Sequence, residues 1–275
     1  MRYAPGMNLL ALLSAVLLAT FSPARADSRG GVLRELAPTG TLRVAIGVGP
    51  TASAFYCTRD PLSGRPRGVA VDLGAELSRM LRVPIEYVEY QSSGEITEAA
   101  KAGAWDVTFM PVDAERTKVV EFGPAYYNFE STYLVPPGSA IKTIEEVDRP
   151  GVRVIGVENT ATGRAAAAAL KNATFVTFRS VAELMGEMRA GRADAVALSR
   201  ESLRNFAAAF PGARVLAGHF FASRVAVAVP KGRPEALAFV TAFVENAKFT
   251  GSVRRALDGA GLKEAEVAPL ATQKN

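Results

Sequence analysis

The pattern that most narrows the fold is an alternation of short apolar stretches with stretches of helical periodicity, run through twice. In the first run Leu42 to Ile46 reads as a strand. Val71 to Leu81 reads as a helix with Leu73, Leu77, Met80 and Leu81 on one face. Pro84 to Tyr90 is a strand, Ile96 to Ala102 a helix ended by Gly103, and Trp105 to Met110 a strand, followed by a helical turn over Asp113 to Thr117. The second run has strands at 152–157, 175–178 and 193–198 and helices at 162–170, 181–188 and 201–210. A strand over 223–229 and two helices, about 233–247 and 250–259, close the chain. Such alternation gives a mostly parallel sheet with helices on both faces. Two runs and a returning segment give two lobes. Ligands of open α/β sheets bind beyond the carboxyl ends of the strands, so two facing lobes make a cleft there. No repeat at a fixed short period points to a solenoid.

Composition removes several function classes. With 275 residues, 49% hydrophobic and 21% charged, the chain is globular in make-up, not disordered or collagen-like. One Cys excludes an internal disulfide, and one Cys with one His argues against a zinc cage, so neither metal nor cofactor is expected. The first 26 residues read as a leader. Arg2 gives a basic start, Leu9 to Phe21 is apolar except for Ser14 and Thr20, and Ala24-Arg25-Ala26 is a small-x-small cleavage site. The run is shorter than the ~20 apolar residues of a membrane span. The only Cys is Cys57, so no lipid-anchored form is expected. The expected product is exported to the periplasm and begins at Asp27, with 27–40 as a short lead-in ended by the turn Pro38-Thr39-Gly40. Removing Arg2 and Arg25 lowers the formal net charge from +5 to +3. With no dense Lys/Arg run, this does not point to a nucleic-acid partner.

The order of short motifs resembles the family 3 bacterial extracellular solute-binding proteins, the amino-acid-binding receptors of ABC importers. The first half of the set is Gly40-x-Leu42-Arg43-Val44, Gly68-x-x-Val71-Asp72-Leu73, Gly103-x-x-Asp106, Glu115-Arg116 and Phe122-x-x-x-Tyr126. The second is Val154-Ile155-Gly156-Val157, Gly191-Arg192-Ala193-Asp194-Ala195 and Val225-x-Val227-x-Val229-x-Lys231-Gly232. The resemblance runs from about Gly40 to Leu262. It implies an α/β fold of the type II periplasmic-binding-protein kind, each lobe a mostly parallel sheet flanked by helices. Lobe 1 would be 40–128 plus 222–265 and lobe 2 129–221, joined by crossovers near Asn128–Ser131 and His219–Ser223. It further implies hinge closure on a small-molecule ligand and docking on the membrane permease of an ABC importer, with the protein acting as a monomer.

The same resemblance assigns candidate site residues. Arg116 stands where the family grips the ligand's α-carboxylate, a task suited to a planar, always charged fork of donors. An exposed Arg on a short helix is the plainer reading of that residue alone. Asn159, Ala161 and Thr162 stand between a strand and a helix, where unpaired N–H groups and the helix dipole can hold an anion. An ordinary N-cap is the plainer reading there. Three departures bear on the ligand. Ser199 occupies the position where relatives carry an Asp that pairs with the ligand's ammonium group. Pro111 stands five residues before Arg116, where a hydroxyl residue is usual, and Ser93 falls where an aromatic commonly stacks. Phe55 and Tyr56 could supply an aromatic wall instead, and Phe109 fits strand core and pocket lining equally well. These changes keep the anion clamp and remove the ammonium clamp, so the expected ligand is an organic acid without a free α-ammonium rather than an ordinary amino acid. Trp105 and His219 read as packing or surface residues, Tyr126-Tyr127 as structural residues near the crossover, and Cys57 as an exposed thiol in a polar loop.

Two other classes compete with the receptor reading. One is an enzyme on the same scaffold, since dehydratases are related to this family. Asp113, Glu115, Glu130 and Glu158 are acids near cleft-forming segments, but they form no recognisable catalytic constellation. The other is a soluble sensor or accessory subunit that presents a ligand to a receptor.

Overall fold

The computed structural model describes residues 23–48, 57–263 and 265–271. Its strands are β1 (Leu42–Gly47), β2 (Thr58–Arg59), β3 (Pro66–Arg67), β4 (Ile85–Tyr90), β5 (Val107–Pro111), β6 (Val120–Val135), β7 (Arg153–Val157), β8 (Thr174–Phe178), β9 (Ala195–Ser199), β10 (Arg214–Val215) and β11 (Phe221–Pro230). Its helices are α1 (Pro23–Leu36), α2 (Val69–Leu81), α3 (Ser93–Ala99), α4 (Ala161–Ala169), α5 (Val181–Arg189), α6 (Arg200–Ala208), α7 (Pro234–Phe249) and α8 (Ser252–Gly259). Most of the expected elements are present within a few residues. The expected lead-in is instead helix α1, whose Val32 and Leu36 are buried in the core. Its Glu35 carbonyl accepts from Arg233 at 2.8 Å. The stretch begins with Pro23 and carries two glycines, so nothing in its local pattern signals a helix; packing makes it one.

β1, β4 and β5 pair in parallel, as do β7, β8 and β9. The two groups are joined into one ladder in the order β4-β1-β5-β11-β6-β9-β7-β8, with β10 on the side of β6. β11 and β6 are antiparallel to each other and to the neighbours they meet in each group. The sixteen-residue β6 is what the sequence concealed. Gly123-Pro124 interrupts its apolar pattern, and a proline cannot donate to a ladder. The register explains how it is accommodated: Ala226 faces Ala125 but Ala228 faces Phe122, so the proline lies in a bulge.

The cores divide as the strands do. One cluster joins Leu42, Val44, Leu73, Leu77, Phe109, Val227 and Phe243, and a second on the same half surrounds Trp105. Two others cover the far half, around Leu184, Val196 and Phe206 and around Tyr133, Val154 and Leu216. In α2, Leu73, Leu77 and Leu81 are buried at intervals of four, whereas Met80, expected on that face, is 47% exposed. It falls at the rim of the stripe, beyond the arc that faces the sheet. Cys57 also departs from expectation. It is fully buried beside Val48 in an isolated bridge, and burial raises its thiol pKa.

Both halves close on one device. Gly103 and Gly191 take left-handed φ values of 62° and 66° after a helix. Three residues on, Asp106 and Asp194 each donate N–H to the first strand's carbonyl, at Arg43 and Arg153. Their carboxylates accept the N–H of those same residues, at 3.1 and 2.8 Å. The fully buried Asp106 carboxylate also receives Arg43 Nε and Nη2 at 2.9 and 2.7 Å and Arg233 Nη1 at 3.0 Å. Removing it would leave two guanidiniums facing each other in low dielectric. Asp106→Ala is expected to lower the unfolding free energy by about 3 kcal/mol in urea denaturation. A change below about 0.5 kcal/mol, the scale of an ordinary surface substitution, would contradict this account.

Candidate functional site

Within each group the strands run parallel and their carboxyl ends lie together; the two groups run in opposite directions beside opposite halves of β6, so those ends face each other across an edge where connecting loops and helix starts gather. Four starts are capped by hydroxyls, among them α5, where Ser180 Oγ accepts from Glu183 N at 3.3 Å. Ser92 Oγ accepts from Glu95 N at 3.3 Å before α3. Thr160 Oγ1 accepts from Gly163 N at 2.9 Å before α4 and donates to Val157 O at 2.8 Å. Ser199 Oγ accepts from Ser202 N at 3.2 Å and donates to Ser202 Oγ at 2.9 Å before α6. Each satisfies a donor that the helix itself leaves unpaired. The turn into α4 is tight. Asn159 is left-handed at φ 55°, and a Cβ on Gly163 would lie 2.3 Å from the Val157 carbonyl oxygen.

Arg116 is fully buried, and the plainer reading of an exposed Arg does not hold. It begins a short 3₁₀ turn beyond β5. Its Nη1 donates to the Pro111 carbonyl at 2.9 Å and its Nη2 to Ser93 Oγ at 2.7 Å. Proline therefore serves here through its carbonyl, and Ser93 through its hydroxyl at the start of α3. A guanidinium can be kept in such a place only if its donors are occupied. Asp113, three residues earlier, accepts the Arg116 N–H at 3.3 Å.

The second group of strands presents hydroxyls at this edge. Thr162 and Ser131, both buried, share a hydrogen bond of 2.8 Å between their side-chain oxygens. Ser131 is the cross-strand partner of Ser199, which is also buried. The two groups touch across the edge. Arg164 in the first turn of α4 donates Nε and Nη2 to Asp113 Oδ2 and Oδ1 at 3.1 and 2.5 Å. Burial tends to raise the Asp113 pKa, but the Arg164 bonds and charge and the nearby Arg116 outweigh it and hold the carboxyl below its usual range. Asn159 Nδ2 donates to Glu98 Oε1 at 2.7 Å. Gly94 lies so close that a Cβ there would sit 2.9 Å from both Glu158 O and Asn159 Cβ.

Of the residues singled out from sequence, Arg116 and Pro111 are thus joined on one side, and Thr162 and Ser199 are linked through Ser131 on the other. Ala161 is buried as the first residue of α4, and Asn159 bridges the two sides. Phe109 packs edge-to-face on Tyr126 at 5.8 Å inside the core. Phe55 and Tyr56 lie outside the described residues. Sequence reasoning did not identify Ser131, Arg164 or Glu98, nor Ser93 as the partner of Arg116. A Ser92-x-x-Glu95 capping pattern marks the start of α3 and could have pointed to Ser93. Glu201, the carboxylate nearest Ser199 in the chain, accepts from Tyr127 OH at 2.6 Å and lines a separate groove with Arg200, Arg204 and Arg224. Among the described residues, no cluster of His, Cys, Asp and Glu could hold a metal ion, and no helix is long and apolar enough to cross a membrane.

Comparison with known proteins adds a lineage to this geometry. The family model of the bacterial extracellular solute-binding proteins, family 3, matches residues 44–259. The L-arginine-binding protein of Pseudomonas aeruginosa is 25% identical over 264 residues, covering 92% of this chain and 96% of that protein. The ABC transporter glutamine-binding protein GlnH of Bacillus subtilis is 21% identical over 213 residues, covering 76% and 77%. Among solved structures, holo ArgBP from T. maritima superposes with a TM-score of 0.69 at 25% identity, covering 80% of this chain and 97% of that one. The ancestral amino acid-binding protein AncCDT-1, a precursor of cyclohexadienyl dehydratase, gives 0.71 at 28% identity, covering 82% and 97%. These likenesses establish the two-lobed α/β fold with a mixed central sheet flanked by helices.

The contact at Gly94 makes a prediction. A methyl group there meets backbone at Glu158, which cannot rotate away. Gly94→Ala is therefore expected to hold the two halves apart and raise the radius of gyration in small-angle scattering, with little loss of stability. An unchanged radius would contradict the close approach.

Proposed function

The chain belongs to the bacterial extracellular solute-binding proteins, family 3, and from that premise we propose that it captures a small carboxylate-bearing organic acid without a free α-ammonium group. Capture would occur between two lobes that close by a hinge, and delivery would be to the membrane permease of an ABC importer. Residues 1–26 would act as an export leader placing the protein in the periplasm. Lobe 1 would comprise 40–128 and 222–265, and lobe 2 129–221, with β6 and β11 as the crossing segments. The ligand's carboxylate would sit against Arg116 and the start of α4, and the hydroxyls of Ser131, Thr162 and Ser199 would face the rest of it.

The observation that carries the ligand class is the state of Ser199. Its hydroxyl caps α6 and bonds Ser202, so this position offers no negative charge. A buried ammonium without an anionic partner is costly. The relatives named for arginine and glutamine carry amino-acid ligands, and this chain would differ from them at that point.

The kinship with a dehydratase precursor keeps an enzymatic reading in view. Against it, acids near this edge are engaged: Asp113 by Arg164, Glu98 by Asn159, and Glu130 by Arg200. A general acid or base needs to reach substrate. These contacts support binding without turnover.

A thermal-shift screen of the exported protein against amino acids, dicarboxylates, keto acids and aromatic acids tests the proposal. A ligand at about 1,000 times its dissociation constant adds ~4 kcal/mol to stability, a readily visible rise in melting temperature. The expected result is a rise with an acid lacking the ammonium group, lost in Arg116→Ala. A rise only with ordinary α-amino acids would overturn the ligand class and leave the receptor class standing.

A further inference from the structure

We propose that Asp113 is a positioning residue that ties the binding arginine to lobe closure. Its carboxylate organises the turn bearing Arg116 and at the same time grips Arg164 of the other lobe, so the pair latches the lobes before any ligand bridges them. The inference rests on the two-lobe reading above and extends it.

The carboxylate is used completely. Oδ1 accepts the backbone N–H groups of Glu115 at 2.9 Å and Arg116 at 3.3 Å, and Arg164 Nη2 at 2.5 Å. Oδ2 accepts Arg164 Nε at 3.1 Å. Two of these contacts are local and fix the turn; two are made by a residue 51 positions away in the chain. A planar guanidinium meeting both carboxylate oxygens is the strongest and most directional form of ion pair. The pair is sheltered: the Asp113 side chain is 13% exposed and that of Arg164 31%.

The position of Arg164 is a second, independent sign. It stands in the first turn of α4, where its N–H bonds Thr160 O at 3.0 Å. The positive end of the helix dipole lies there, and a cation at that end is unfavourable by itself. An arginine placed against the dipole gains most by pairing with an acid from outside its own helix. Asp113 is that acid. The neighbouring Asn159–Glu98 hydrogen bond, at 2.7 Å, spans the same boundary with a neutral amide as its donor.

Coupling follows from the shared carboxylate. Anything that opens the lobes removes two of the contacts on Asp113, and the turn holding Arg116 then keeps only the local pair. Conversely, an ordered turn presents the carboxylate ready for Arg164. A contact made only in the closed form shifts population toward closure by its own free energy, whether or not a ligand is present. A ligand arriving at a partly closed receptor then needs to supply less of the closing free energy.

The test needs no ligand. Spin labels at Lys101→Cys and Lys171→Cys, both exposed and one in each lobe, report the interlobe distance. Hydrogen exchange of the peptide spanning 113–119 reports the turn. In the unliganded protein, Arg164→Ala and Asp113→Asn are each expected to reduce the closed population by about fivefold. Asp113→Ala/Arg164→Ala should open it no further than either single alanine substitution, because the two act through one contact. Raising salt from about 0.1 M to about 1 M, which shortens the screening length from about 10 Å to about 3 Å, should open the unsubstituted protein and leave Arg164→Ala unmoved. Exchange in 113–119 should quicken in Asp113→Ala but stay near its original rate in Asp113→Asn, whose amide oxygen still accepts the two local N–H groups. Single substitutions that leave the distance unchanged, or that add in the double variant, would overturn the latch. Equal exchange in Asp113→Ala and Asp113→Asn would overturn the positioning role. Failure to find a carboxylate ligand would touch neither result.

Discussion

A guanidinium taken wholly out of water sets the terms for the rest of this structure. Arg116 is fully buried yet ionised at any physiological pH, so its surroundings have to supply acceptors in fixed directions. The Pro111 carbonyl and the Ser93 hydroxyl do so from the end of β5 and the start of α3, while Asp113, in the loop beyond β5, accepts the Arg116 backbone N–H. Each of those elements ends where it does because parallel strands share a carboxyl edge. The setting of Arg116 is a product of topology first and of side-chain chemistry second.

The same topology bears on the proposed opening and closing of the edge. Among the described residues, β6 and β11 are the only strands in the main ladder that link the two parallel groups, and the hydrophobic clusters on either side share no residue. The two halves are therefore joined by backbone hydrogen bonds along two strands and, at the far rim, by polar contacts such as Asp113–Arg164 and Asn159–Glu98. Polar contacts can be exchanged for water at modest cost, unlike a shared apolar core. Such an arrangement suits hinge motion.

Much of this was legible in the sequence, for identifiable reasons. Helical and strand periodicities located nearly every element, because α2, α5 and β7 to β9 bury one face or both and so carry a clean pattern. Arg116, Thr162 and Ser199 were found by their place in an ordered set of motifs. What stayed hidden depended on contacts distant in the chain. β6 reads as broken at Gly123-Pro124 because only the bulge against β11 makes room for the proline. α1 has no amphipathic signature and is held by α7 and the core. Cys57 sits among polar residues in sequence but is buried against Val48 in space. Arg164 and Glu98 look like ordinary surface charges until the edge brings their partners to them.

The central claim is that this family scaffold keeps its carboxylate clamp and has given up the charge that holds an ammonium group. Titration calorimetry on matched pairs tests it most directly: an α-amino acid against the same acid without the amino group, such as L-glutamate with glutarate and L-phenylalanine with 3-phenylpropanoate. The account predicts that, in the pairs that bind, the acid without the amino group binds more tightly by about 100-fold, the scale of burying an unpaired ammonium. It further predicts that Ser199→Asp reverses the order. Tighter binding of the amino acids by the unsubstituted protein would contradict it.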